Sequence, residues 1–521
     1  MMQADVSSLT RRRLLGAGAA LAATAMLPSG ARAQGAQFRR WEITDPAMPP
    51  RVLASYKTGI SKMLALPPTD PRNWYRNAMV HLFDCPHGNW WFLVWHRAYL
   101  GWLETTLRDL SGDPDFALPY WDWTKTPSVP QAMFDGVLDP NNSGFIPTFD
   151  EFSAQFRPVV TTLYASFSQD QLGVLNDRGI ATADDFMNLL PQVFFDQPSA
   201  RGLTATNPDL DSDTRVAVSL PTIRSSLRTT QFAGDGGPND PAGFASAKAP
   251  NHSAGSTKGI LESQPHDNVH GAMGGGGGAF MVQFYSPVDP IFFLHHGNLD
   301  RLWDVWTRRQ TALGRPTLPQ GPDLDAWSNE QFRFFSNAQS QPVTQTNAGS
   351  YALPSVFGYD YSPGSGEDQV PAAGPVIASN PQVFSGAVLS ERVGSSRAAG
   401  GTVRVPASAL QAARADAGPR VAEITLNLTH EDLGRRFRVL VSPTPGVAPL
   451  AAGAITIFGH PHHGPVTFTV PLPNNLPAAG TTGEVSLDIR VVPIGNSVRP
   501  ALAAGAAPTA PLVSGIKVRT D

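Results

Sequence analysis

Two separate runs of histidine set in apolar sequence limit what this chain can fold into. From His81 to Leu107 it reads HLFDCPHGNWWFLVWHRAYLGWLETTL, placing His81, His87 and His96 within sixteen positions, the last directly behind the apolar run Trp90–Trp95. Each ring nitrogen of a buried imidazole needs a partner, because a buried polar group left unpaired costs roughly 1–3 kcal/mol. A lone core histidine meets that need with hydrogen bonds; three on this spacing meet it together around a metal ion.

The arrangement recurs. From Glu262 the chain reads ESQPHDNVHGAMG, so His266 and His270, four apart, project from one face of a helical turn. Further on, DPIFFLHHGNLDRLWDVW sets His295 and His296 on a second apolar segment, opened by Asp289 and Pro290 as helix-start residues. Neighbours on a helix point about 100° apart, so one of the pair faces the site, and spacing leaves open which. Of the 12 histidines, His252, His430, His460, His462 and His463 stand outside these groups. His252 reads as solvated and His460 to His463 as an exposed loop. Two imidazole groups predict two metal ions. Neutral imidazole suits zinc, copper, iron and nickel, whereas a set without thiolate or carboxylate argues against iron–sulfur, calcium and magnesium. A zinc hydrolase therefore stands beside copper chemistry at this level.

At the N-terminus Thr10-Arg11-Arg12-Arg13-Leu14-Leu15 precedes an Ala/Gly/Leu-rich run ending at Ala31-Arg32-Ala33, a small-residue cleavage pattern. Residues 1–33 read as a twin-arginine export signal, since the apolar core is too short and glycine-rich to cross a bilayer. The expectation is passage through the twin-arginine translocase to the periplasm or medium, with no membrane span elsewhere. A net charge of −4 gives no electrostatic case for nucleic acid or an anionic membrane, so small-molecule partners are expected. With a single cysteine, Cys85, stability rests on the core and the metals rather than on disulfides.

Between Asp122 and Gly259, SQDQLGVLND and ATADDFMNLL read as short amphipathic helices, and QFAGDGGPNDPAGFASAKAPNHSAGSTKG as a long polar loop leading to the second histidine group. Residues 366–415, rich in Pro, Gly, Ala and Ser, read as a linker with a strand or two. Beyond it AEITLNL, RRFRVLV, AGAITIFG, PVTFTVPL, EVSLDIRVV and GIKVRT alternate with period two. The expected architecture is a mainly α catalytic domain over 34–365, a helical bundle holding a dinuclear centre, then an antiparallel β-sandwich or barrel over 416–521.

Several strings resemble a known family: YKTGISKMLALPPTDPRNW before the first group, FALPYWDW after it, EXXPHXXXH and DPIFFXHHXNXDRXW in the second, and VFGYDY with its tyrosine pair. They resemble the tyrosinases, catechol oxidases and haemocyanins, with their type-3 dicopper centres, and most of all the plant polyphenol oxidases. The resemblance implies that His81, His87 and His96 hold one copper, that His266, His270 and His296 hold the other, and that His295 is the non-ligand of its pair. It implies oxidation of o-diphenols to o-quinones by O2, with monophenol hydroxylation in addition in some members. Two alternatives use the same coppers: oxidation of o-aminophenols, and haemocyanin-like oxygen binding without turnover. Glu262 matches a glutamate that holds a water near the metals, and Phe284 a gate aromatic over the second copper. Asp267 replaces an asparagine common in monophenol-hydroxylating members, which argues against that activity. Cys85 matches a cysteine joined by a thioether to an imidazole, here His87. The C-terminal domain matches one that covers the copper pocket, through Arg435–Val441 and Ala452–Gly464.

Overall fold

The computed structural model describes residues 36–194, 200–234, 242–274, 279–371, 382–388, 392–393, 398–411, 418–429, 432–443, 447–458, 464–476, 482–494 and 511–520. Residues 1–33, expected to be an export signal, residues 275–278 of the glycine run, His430 and His460 to His463 lie outside these. No described helix is long and apolar enough to cross a membrane.

Residues 36–371 are mainly helical. The helices are α1 (Pro50–Ala65), α2 (Trp74–Asp84), α3 (Phe92–Ser111), α4 (Phe149–Ser166), α5 (Gln169–Asp177), α6 (Ala183–Phe194), α7 (Ser212–Ala217), α8 (Leu220–Leu227), α9 (Asp267–Met273), α10 (Ile291–Ala312) and α11 (Pro322–Asn329). Local chemistry sets the ends of those that matter. Asn73 accepts the backbone N–H groups of Tyr75 and Arg76 at 3.0 and 3.4 Å, starting α2. Gly112, at φ 74°, ends α3 in the left-handed conformation that glycine adopts without strain. Asp289 accepts Ile291 N–H at 3.0 Å and is gripped by buried Arg201 at 2.6 and 2.9 Å, so Asp289-Pro290 does open α10. The two predicted amphipathic helices appear as α5 and α6.

Nine of the 11 tryptophans are fully buried in this helical part. Each removes on the order of 150–250 Å² from water, which gives the histidine-bearing helices rigid walls. Strand β1 (Phe38–Arg40) pairs in parallel with β3 (Tyr359–Tyr361). That pairing brings the tyrosine pair to Asp300 on α10, where both hydroxyls donate to one carboxylate oxygen. Arg97 of α3 and Arg40 reach the same carboxylate at 2.6 and 3.2 Å. Burial alone would raise the Asp300 pKa, but the two guanidinium groups outweigh it and hold it below the ordinary value. This cluster fixes α3 against α10.

The remaining strands are β2 (Thr257–Lys258), β4 (Gln382–Ser385), β5 (Ala387–Val388), β6 (Ala399–Pro406), β7 (Arg420–Leu428), β8 (Arg436–Ser442), β9 (Leu450–Thr456), β10 (Gly464–Pro471), β11 (Glu484–Pro493) and β12 (Leu512–Thr520). They form two five-stranded sheets, ordered β2-β10-β7-β12-β4 and β5-β6-β11-β8-β9, that share one apolar core. The β prediction holds, with two corrections. Among the described residues neither sheet closes into a barrel, and the pattern is not wholly antiparallel, because β2, contributed from before the second histidine group, joins β10 in parallel.

Two further expectations are corrected. The supposed linker carries β4, β5, β6 and a short helix, α12 (Ala407–Gln411), all within the β part. Its glycines reflect close packing between strands: a Cβ on Gly400 would lie 2.2 Å from Ile489 O, and one on Gly401 2.7 Å from Ala387 O. The supposed polar loop is buried over Ala242–Ala247, where a Cβ on Gly243 would lie 2.3 Å from Ala233 Cα. Small residues there admit a second chain segment rather than solvent.

Candidate metal centre

His81 leaves the last turn of α2, His87 sits on the irregular segment between α2 and α3, and His96 lies in the second turn of α3. All three are buried. Their ring centroids are 5.5–5.6 Å apart. Gly88, at φ 67°, turns the chain after His87, and its carbonyl accepts Ser256 N–H at 3.2 Å. This approach requires glycine at 255 as well, since a Cβ there would lie 2.0 Å from His87 O.

The second group is built on a wide turn. Pro265 has no N–H for the helical ladder, and Glu262–His266 forms one π-helical turn leading into α9. Asn268 caps the carbonyls of Ser263 and Gln264 at 3.2 and 2.9 Å. His266 and His270 therefore leave consecutive turns with ring centroids 4.6 Å apart, and His296 of α10 meets them at 5.1 and 5.5 Å. The two groups face one another, with His96 stacked on His296 at 4.2 Å and His87 5.4 Å from His266.

The ring nitrogens show what the pocket fits. His81 and His96 donate Nδ1–H to the carbonyls of Phe284 and Phe92, each at 2.7 Å. A carbonyl only accepts, so both neutral rings present a bare Nε2, and these two nitrogens face each other at 3.4 Å. His270 likewise donates to Met281 O at 2.5 Å, and its Nε2 lies 3.3 Å from that of His296. His266 Nδ1 meets Asp267 Oδ1 at 2.8 Å, while its buried Nε2 has no hydrogen-bond partner among the described residues. Burial, with neighbouring imidazoles next, holds His81, His266, His270 and His296 well below the ordinary pKa, and His96 at about 3. Lone pairs that converge in a dry pocket repel unless a cation lies between them. The donor set thus fits two metal ions, with a fixed acceptor behind the ring of His81, His96, His266 and His270.

His295 is buried beside His296 but has a different partner: Trp123 Nε1–H donates to its Nδ1 at 3.1 Å. Cys85 is buried with Sγ 3.6 Å from His87 Nδ1, and burial pushes its thiol pKa far up. Glu262 is fully enclosed: one oxygen accepts Gly88 N–H at 2.6 Å, the other Ser246 Oγ–H at 2.7 Å. Its pKa is raised by burial and drawn back by Lys258, 3.8 Å away. Asp267 binds Lys258 Nζ at 2.8 Å; burial raises its pKa, and that lysine pulls it back. Phe284 lies beside the first group, its ring 6.5 Å from His81 and 6.3 Å from His87.

Three participants were not legible in the sequence. Phe458, just past β9, inserts from the β part, stacking on His270 at 4.0 Å and lying 5.2–5.3 Å from His266 and His87. Lys258 donates to Phe458 O at 3.2 Å, joining that ring's backbone to Asp267. His252, expected in solvent, is buried between Asp84 Oδ1 at 2.9 Å and Glu330 Oε1 at 2.5 Å. Apolar alternation around Phe458 signals a strand but not what the strand touches.

Residues 65–309 match the family model described as the common central domain of tyrosinase. A chloroplastic polyphenol oxidase of Spinacia oleracea is 27% identical over 56% of this chain and 42% of its own length. Tyrosinase HcTyr1 of Hahella sp. (strain CCB-MM4) is 29% identical over 54% of this chain and 47% of its own. The chain thus spans less than half the length of these curated relatives. Among solved structures, a latent aurone synthase (polyphenol oxidase) superposes with a TM-score of 0.55 at 19% identity, over 95% of this chain and 93% of that one. Latent apple tyrosinase gives 0.53 at 18% identity, over 95% and 99%. These two likenesses show the fold. Both histidine groups lie within residues 65–309, the part of the chain that matches the common central domain of tyrosinase.

Proposed function

We propose that the chain is a copper-dependent oxidase that converts o-diphenols to o-quinones with O2, and that Phe458 keeps it latent. The reading is supported above all by two three-histidine groups meeting across one buried pocket, His96 on His296 at 4.2 Å. In this reading His81, His87 and His96 hold one copper, and His266, His270 and His296 the other. When bound, the coppers supply the electron exchange with O2 that no side chain here provides.

The chain's own residues do the rest. Phe92, Phe284, Phe292 and Phe458 wall the pocket and exclude water. Each diphenol must shed its hydroxyl protons. Glu262, held by two donors and with its pKa raised by burial, takes up a proton more readily than an exposed carboxylate. Asp267, engaged by Lys258 and His266, adds negative charge beside a ligand and disfavours hydroxylation of monophenols. We assign Cys85 and His87 to a thioether link, in which the S–H and a ring C–H give way to a C–S bond and O2 takes up the two electrons and two protons, so that peptide mass would show the loss of two hydrogens. Residues 1–33 we assign to twin-arginine export.

The test is metal content with oxygen uptake on catechol. The intact protein should hold two coppers per chain, and His96→Ala or His270→Ala should each lose one. Zinc without copper, or copper without quinone formation even after Phe458 is replaced, would overturn the reading; reversible O2 uptake without turnover would favour oxygen carriage.

A further inference from the structure

His266, His270, His295 and His296 each bring a ring nitrogen within 4.8 Å of the others. Four imidazoles therefore crowd a centre that three complete, and His295 is as buried as His296. We infer that Trp123 decides which of the two adjacent histidines on α10 is the ligand, by locking His295 in a tautomer that cannot bind a metal. The inference rests on the six-histidine reading above.

An indole N–H donates and has no lone pair to offer. The 3.1 Å contact from Trp123 Nε1 to His295 Nδ1 therefore fixes Nδ1 as the acceptor, and the hydrogen of the neutral ring resides on Nε2. One nitrogen has its lone pair engaged and the other carries a proton, so neither can ligate. His296 has no such lock. Its Nδ1 has no hydrogen-bond partner among the described residues, and its Nε2 faces that of His270 at 3.3 Å.

Trp123 is itself well held. It is fully buried, its backbone N–H donates to Trp121 O at 3.1 Å, and the backbone N–H of Trp121 donates to Leu294 O at 3.0 Å, one residue before His295. The FALPYWDW stretch is thus registered on α10 by its backbone, with the indole delivered to that histidine. Trp123 is a positioning residue: it acts through His295 rather than on a substrate.

Cobalt(II), loaded into the copper-free protein, is the probe, because its visible absorption is strong with four ligands and weakens as ligands are added. Wild type should take up two ions. Trp123→Phe keeps an aromatic ring and removes the donor, which frees His295 to move its hydrogen to Nδ1 and ligate through Nε2. The variant should bind two ions with weaker absorption, and should lose one to a chelator about tenfold more slowly, the factor that accompanies roughly 1.4 kcal/mol. Trp123→Phe/His295→Leu should restore the wild-type spectrum and rate, a rescue that a mere packing role for the indole would not give. His295→Gln, which can still accept from Trp123, should leave the spectrum unchanged; a changed spectrum there would show His295 to be a ligand and overturn the inference even if Trp123→Phe fails to fold. A wild-type spectrum in Trp123→Phe, or no rescue in the double variant, would overturn it too. Fewer than two ions in wild type would instead bring down the six-histidine reading.

Discussion

Phe458→Ala removes the ring stacked on His270 at 4.0 Å while leaving the Phe458 carbonyl bound to Lys258 at 3.2 Å. In the parent protein, opening the pocket means exposing a buried phenyl group, at a cost of roughly 1.5–3 kcal/mol. Its aromatic contacts add about 0.5–1.5 kcal/mol. A total of about 2–4.5 kcal/mol puts the open form at roughly one molecule in 30 to one in 2,000, since 1.4 kcal/mol is tenfold. A substrate that binds only the open form has its apparent affinity reduced by that fraction. Because alanine leaves the backbone in place, the gain should fall at the low end, about 30-fold in kcat/KM. Phe458→Leu, which keeps apolar bulk without stacking, should fall between. The assay is oxygen uptake on catechol, with copper content measured on the same samples. An unchanged kcat/KM in Phe458→Ala with both coppers retained would show that this ring does not close the site.

Proteolysis within residues 372–381 should leave two fragments that co-elute and stay latent, because β2 pairs with β10, Arg438 binds Asp213 at 2.5 and 2.8 Å, and Asn268 donates to Ala454 O at 3.0 Å; separation on gel filtration would refute this. Asp267→Asn should raise the ratio of monophenol hydroxylation to diphenol oxidation and lower Tm. Breaking a buried ion pair costs about 3–5 kcal/mol, and Glu262, 3.8 Å from Lys258, should keep the loss at the lower end; an unchanged ratio would place the control elsewhere. Burial lowers the pKa of His252, but Asp84 and Glu330 outweigh it and raise the value above that of a free imidazole. Its contribution to stability is therefore complete below the unfolded pKa of about 6.5 and fades as pH rises through the folded value. The Tm advantage of wild type over His252→Gln should shrink on going from about pH 6 to pH 9, and a constant gap would refute the clamp.

The helices bearing His81, His96, His270 and His296 were legible because their signals are local: an apolar run, a four-residue spacing, an Asp-Pro start. What decides between His295 and His296 is not local, since Trp123 lies 172 residues away in sequence. His252 was misjudged for the same reason, with its carboxylates 168 and 78 residues distant. The glycine and alanine content of 382–411 resembles that of a flexible tether, and only the neighbouring strands show that it permits close packing. Phe458 carries the same apolar signal as any strand residue, and its partner His270 belongs to a different part of the chain.

The docking of α9 on the β part has a consequence for biosynthesis. Ser263 donates to Thr469 O, Gln264 to Ala454 O and Asn268 Oδ1 accepts from Thr456, contacts that span 188 to 206 residues. Strand β10 is in turn held by β7, and β7 by β12, which ends at Thr520. Chains emerge N-terminus first, and long-range pairings form late. The turn bearing His266 and His270 must therefore wait, with its polar side chains unsatisfied, until the chain through β12 has been made. Removing β12 should therefore yield a chain that misfolds around His266 and His270 before it fails anywhere else.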